Sequence, residues 1–157
     1  MMYNPHKSTT PRREPELRPW PLDRVADDGT RDTVTVQGYL LGRATSEKEG
    51  HNHAEDFTPD GQRCSACRWF EVIIIDTSDD AEAGTDYLVY TCGRTMLPGE
   101  HDRTRFVYTD SPHEVVSALV VRQHGQPKLP VASDRALAQA AWLDNEIADA
   151  YVNRAVA

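Results

Sequence analysis

No apolar run in the 157-residue chain approaches the about 18 residues a membrane span needs, and its opening, MMYNPHKSTTPRREPELRPWPLDR, has no apolar stretch of the secretion-signal kind. A cytoplasmic chain is therefore expected. Cysteine is scarce as well: three thiols cannot all pair within one chain, which argues against a disulfide scaffold. Phosphate-binding glycine loops, nucleophile elbows and helical metal motifs are missing. So are internal repeats. Positive charge is in deficit, with 17 Lys and Arg against 25 Asp and Glu and a net of −8. The deficit is uneven: Lys7, Arg12, Arg13, Arg18 and Arg24 against Glu14, Glu16 and Asp23 leave the first 24 residues at +2 and the rest at −10. An acidic body repels phosphate backbones, which disfavours DNA or RNA as the ligand of the main surface.

At this length the apolar residues suffice for one core, so a single domain with tails is expected. Five of the ten prolines lie in the first 21 residues, and residues 1–30 read as a flexible or extended arm ahead of a domain over 31–157. Trp20, between two prolines, is the residue to pin that arm onto the body. From Thr33 to Leu41 the alternation of β-branched and aromatic residues predicts a first strand, and Trp69–Asp76, Tyr87–Cys92 and Arg105–Tyr108 predict three more. Residues 43–63 are polar and read as a loop.

The last third carries helix signals. Ser111-Pro112-His113-Glu114 has the spacing of a capping box with proline at the first helical position, and His124-Gly125 reads as a stop. A second helix is expected from Ser133-Asp134, with Leu137, Ala140, Ala141, Ile147, Ala148 and Tyr151 at helical spacing. Trp142 and Val152 suit a core or a dimer face equally. The expected class is α+β: a small, mainly antiparallel sheet with two C-terminal helices, stapled by one zinc ion.

The staple is read from GQRCSACRWFEV, residues 61–72. Cys64 and Cys67 on a tight turn can take neighbouring corners of a zinc tetrahedron, whereas a redox pair needs a helix after it and here a strand follows. Cys92, at a strand end before Gly93, is the candidate third ligand. His51 or His53 is the candidate fourth, ahead of His101. The competing reading is that Cys92 is a small buried hydrophobe and the other two are ordinary thiols. His51-Asn52-His53 spells a nuclease acronym, but such nucleases spread those residues over a hairpin and a helix. Asp76-Thr77-Ser78-Asp79-Asp80 lacks the central glycine and terminal glutamate of a calcium loop and reads as solvated.

CSACRWFEV with Gly93-Arg94-Thr95 and Pro98-Gly99-Glu100, and the ending Leu137-Ala138-Gln139-Ala140-Ala141 with residues 149–156, resemble an uncharacterised family of small actinobacterial and actinophage proteins. The resemblance covers about residues 33–157. It implies a phage setting, hence a host cytoplasm, and carries no catalytic residue with it.

Three functions compete. The first is a non-enzymatic binding or regulatory protein that contacts a host or phage protein, with a DNA-mimicking variant. The second is a nucleic-acid-binding zinc protein using Arg63, Arg68, Arg94, Arg103 and Arg105, whose competing role is to pair with nearby carboxylates. The third is a metal-dependent hydrolase with an open zinc site and Glu71 as base.

Overall fold

β-branched and aromatic residues in near alternation build five antiparallel strands in chain order: β1 (Leu17–Val25), β2 (Arg31–Thr45), β3 (Arg68–Asp76), β4 (Tyr87–Thr95) and β5 (Arg103–Thr109). These come from a computed structural model that describes residues 16–47 and 68–156. The three later strands sit where expected, each slightly longer. Within residues 1–30, expected as an arm, Leu17–Val25 is an edge strand laddered to β2 from Leu17↔Tyr39 to Val25↔Arg31, and residues 1–15 lie outside the described ones. Pro19 and Pro21 misled because proline cannot donate to a ladder, but an edge strand tolerates that loss. Trp20 and Leu22 are buried, and the Trp20 indole N–H donates to the Gly38 carbonyl at 3.0 Å. Trp20 thus pins its segment to the body.

β2 has two partners in succession. Its first half ladders with β1 and its second half, from Tyr39↔Asp76 to Thr45↔Glu71, with β3. Leu41 is the extra residue of a bulge between Leu40 and Gly42, and bulges bend strands. The bend curls the sheet and lays the β1–β2 hairpin across it. Val25 N–H donates to Thr104 Oγ1 at 2.9 Å, and the Tyr90 hydroxyl donates to the Asp23 carbonyl at 2.9 Å. Gly38 permits the curl, since a Cβ there would lie 2.4 Å from Ile75 Cγ2 and 2.5 Å from the Asp76 carbonyl oxygen.

Two apolar layers result. Inside the curl, Trp20, Leu22, Val36, Ile73, Ile75, Leu88, Tyr90 and Cys92 bury one another. On the opposite face Leu41, Val72, Ile74 and Val89 meet Val115, Leu119, Leu137 and Ile147 of the C-terminal segment. Because β3 is covered on both faces, Val72–Ile75 is apolar without alternation.

The C-terminal third departs from expectation in length and number. In α1 (Pro112–Ser117), Ser111 accepts from Glu114 N–H at 3.3 Å, while its own N–H donates to Thr109 Oγ1 at 3.0 Å. The helix then stops early. His124 and Gly125, with φ of 53° and 77°, form the turn between β6 (Val121–Gln123) and β7 (Gln126–Lys128), as a two-residue hairpin turn requires. The expected second helix is divided into α2 (Val131–Leu143) and α3 (Asn145–Val152), followed by a 3₁₀ turn at Asn153–Val156. Asp144 causes the division: it is extended, and its carboxylate accepts from the N–H groups of Glu146 and Ile147. The Tyr87 hydroxyl holds its other oxygen at 2.8 Å. Helix α2 lies directly on β2, since a Cβ on Gly42 would sit 2.1 Å from the Ala136 carbonyl oxygen. The class is α+β, as expected, with three short α-helices among the described residues.

Candidate functional site

The antiparallel register brings three arginines to one end of the sheet. Arg68 stands opposite Thr95, Trp69 opposite Arg94, and Arg103 opposite Gly93, so neighbouring strands each supply one guanidinium. They line a groove of about 610 Å³ with Trp69, Glu100 and His101. The loop from β4 to β5 shapes its rim. Leu97-Pro98-Gly99-Glu100 is a tight turn in which Glu100 N–H donates to the Leu97 carbonyl and Gly99 takes the positive φ of 80° that the third position needs.

Behind the groove the inner face changes from apolar to ionic in one step. Cys92 is the last buried apolar position, and the next residue on that face of β4 is Arg94. Its Nε donates to Glu71 Oε2 at 3.0 Å, and its Nη1 to Asp23 Oδ2 at 2.9 Å and Asp102 Oδ2 at 3.0 Å. Arg31 pairs with Asp102 from the folded-over hairpin. Asp102, with a side chain only 7% exposed, also accepts from Thr95 N–H at 2.9 Å. Burial by itself raises the Asp102 pKa, but Arg31, the Thr95 N–H and Arg94 together hold it below the ordinary carboxylate range. Burial likewise pulls Arg94 down, and its three carboxylates outweigh that and raise it. The network ties the β1–β2 hairpin to β3, β4 and β5 by charge.

Of the five candidate metal ligands, Cys92 is within the described residues; His51, His53, Cys64 and Cys67 lie outside them, as does Arg63. Cys92 is fully buried with a free thiol whose pKa is raised, chiefly by burial. It faces Glu71 across β3 and β4, whereas Arg68, the residue after the cysteine pair, stands opposite Thr95. Three residues along a strand span about 10 Å. Glu71 accepts from Arg94 at 3.0 Å and from the Trp69 indole at 3.4 Å. Among the described residues, no group of three or more His, Cys, Asp or Glu is arranged to hold a metal.

The arginines divide between the two roles expected of them. Arg68 donates to Glu100 with Nε at 3.0 Å, and Arg105 to the Ala118 carbonyl at 3.2 Å. Arg103 is exposed and forms no ion pair among the described residues.

The other end of the same strands is acidic. Between β3 and β4, Asp76 Oδ1 accepts from Ser78 N–H, and Asp80 Oδ1 from Glu82 N–H, so the loop folds on its own carboxylates. Asp80 Oδ2 accepts from Gln37 N–H at 2.9 Å, and Asp79 accepts from the Tyr39 hydroxyl at 2.8 Å. Sequence reasoning missed the ionic network because its bonded partners lie up to 71 residues apart. Pro98-Gly99 before Glu100 and Asp102 was the available local signal for a tight rim.

The chain matches no family model, no curated protein and no solved structure. Among the described residues no helix is long and apolar enough to cross a membrane.

Proposed function

We propose that this chain is a binding protein that works through contacts with another protein, in the phage-type setting its motifs resemble. The observation that carries the reading is the difference between the two ends of the sheet: a groove where arginines and carboxylates interleave at one end and a carboxylate-rich loop at the other. A surface of paired charges beside an acidic one gives a small scaffold a charge pattern that a complementary partner protein can match. A nucleic-acid ligand fits less well, because carboxylates stand among the groove's arginines and the whole chain is at −8.

Zinc belongs to the same proposal as a staple of the segment that leads into β3. We assign Cys64 and Cys67 as its thiolates and His51 and His53 as its imidazoles, a shell with no open position for chemistry. Cys92, buried beside Tyr90 and Arg94, is left to packing. Metal analysis of protein purified without added metal tests this: one zinc per chain, lost in Cys64→Ser or Cys67→Ser and kept in Cys92→Ser, is expected. Affinity capture from host cells tests the function. A protein partner retained by the native chain after nuclease treatment and lost with Asp79→Lys or Arg103→Glu supports it. Retention of nucleic acid alone refutes it.

A further inference from the structure

We infer that the partner docks along the free edge of β5, adding an extended segment of its own chain there as a further strand. The inference rests on the binding-protein reading and names its surface and the chemistry of the occupant. The sheet order leaves β1 and β5 with one unpaired edge each. In an antiparallel sheet, successive residues turn their N–H and C=O groups alternately to one neighbour and to the other. Bonds at the ladder ends fix which. Ser46 N–H donates to the Phe70 carbonyl and Thr77 N–H to the Asp86 carbonyl, so alternate residues of β3 from Phe70 face β2 and those from Trp69 face β4. Carried through the register, Arg103, Arg105 and Val107 bond β4, while Thr104, Phe106 and Tyr108 turn their backbone outward.

The two edges differ in what covers them. On β1, Pro19 and Pro21 supply no N–H, Val25 N–H is spent on Thr104 Oγ1, and the Asp23 carbonyl accepts from Tyr90. That edge is blocked to a further strand. On β5 the end of β1 reaches Thr104, but among the described residues nothing bonds the outward groups of Phe106 and Tyr108. An open depression of about 590 Å³, lined by Arg24, Val25, Thr104 and Phe106, lies beside them.

Side chains specify the occupant. On the curl side Phe106 and Tyr108 stack at 6.5 Å, and Tyr108 is 39% exposed. On the helix side Arg103 and Arg105 are exposed and form no ion pair among the described residues. Side chains of an incoming strand alternate between those faces, so a segment that alternates acidic and apolar residues meets the arginines with one set and the aromatic rings with the other. Main-chain bonds supply the remaining affinity. A nucleic acid has no row of N–H and C=O groups at strand spacing to make them. A second copy paired about Phe106 would set Arg105 diagonally against Arg105 and put Tyr108 against the end of β1.

The test is nuclear magnetic resonance on the full chain. Alone, its Phe106 and Tyr108 amides should exchange at least about tenfold faster than those of Arg105 and Val107. Equal protection overturns the inference, and protection that appears with a doubled mass on concentration overturns it in favour of a second copy. A hexapeptide alternating valine and glutamate should then slow exchange at Phe106 and Tyr108. The same peptide N-methylated at every residue keeps its charge and should bind about tenfold more weakly. Tyr108→Pro, which copies the block on β1, should abolish binding, and Arg105→Ala, which leaves the backbone intact, should weaken it about threefold. Equal binding of the two peptides, or no effect at Phe106 and Tyr108 at millimolar peptide, overturns the inference. Tighter binding of a short single-stranded DNA at this edge overturns it in favour of nucleic acid. If a captured partner protein binds Tyr108→Pro and the native chain alike, the edge inference fails and the binding function stands. If the peptides behave as expected and no partner protein is ever captured, the function fails and the edge chemistry stands.

Discussion

The two ends of the sheet use carboxylates in opposite ways. At the acidic end Asp76 and Asp80 bond N–H groups two residues away and shape their own loop, and the second oxygen of Asp80 also accepts from the Gln37 N–H of β2. At the groove end Asp23, Glu71 and Asp102 bond guanidiniums from other strands, and Arg94 reaches Asp23 across 71 residues. The first use makes turns. The second closes a fold. A carboxylate's role is therefore set by how far along the chain its donor comes from, and the energetic consequences differ accordingly.

Removing Asp102 should produce the largest effect, because it takes one carboxylate from the largely buried Arg94 and leaves the Thr95 N–H without its acceptor, while the half-exposed Arg31 turns to water. Asp102→Ala is expected to cost about 2 kcal/mol in urea denaturation of the full chain. A loss below about 1 kcal/mol would mean that water replaces the carboxylate and that the network is ornamental.

Acid titration sharpens the same contrast. The Asp102 pKa is lowered in the folded state, so its contribution is fully present above the unfolded carboxylate value near about 4. It is lost as pH falls through the lower folded value. Stability followed by denaturant midpoint should fall on that acid limb, and Asp102→Asn should flatten it. An unchanged limb would assign the acid sensitivity elsewhere.

At the acidic end, Asp80→Ala is expected to cost about 1 kcal/mol, since it frees the N–H groups of Gln37 and Glu82 beside solvent. Hydrogen exchange should quicken at those two amides while the groove stays protected. Quickened exchange at Thr95 as well would break the comparison, because the two ends would then be one cooperative unit.

The smallest change belongs to Arg68→Ala. Arg68 and Glu100 pair at the surface, where solvent screens them, so the denaturation midpoint should stay within error of the native chain. A clear drop would show that Arg68 acts together with Arg94.

Local signals made much of the fold legible. Val72–Ile75 and Tyr87–Cys92 read as strands because their residues suit a buried pleat, and Ser111-Pro112 read as a helix start because a cap needs only its own turn. Legibility failed where partners were remote. Pro19 and Pro21 were misleading until the pairing of β1 with β2 placed them on an edge. Asp144 looked like one more helical residue until Tyr87 and its own capping bonds broke the helix there. The candidate site divided in the same way. Arg68, Arg94 and Arg103 were visible as charges near the cysteines, but which of them pairs and which stays open depended on Glu71, Asp23 and Asp102 arriving from three other segments.

Sequence alone determined the class, the strand-forming runs, the cap of the first helix and the acidic balance, because each follows from near neighbours or from composition. The tertiary structure decided the curl of the sheet, the place of Cys92 in the inner core, and the conversion of scattered charges into one anchored guanidinium beside a groove. Those depend on residues far apart in the chain meeting at hydrogen-bond distance, and only the closed fold brings them there.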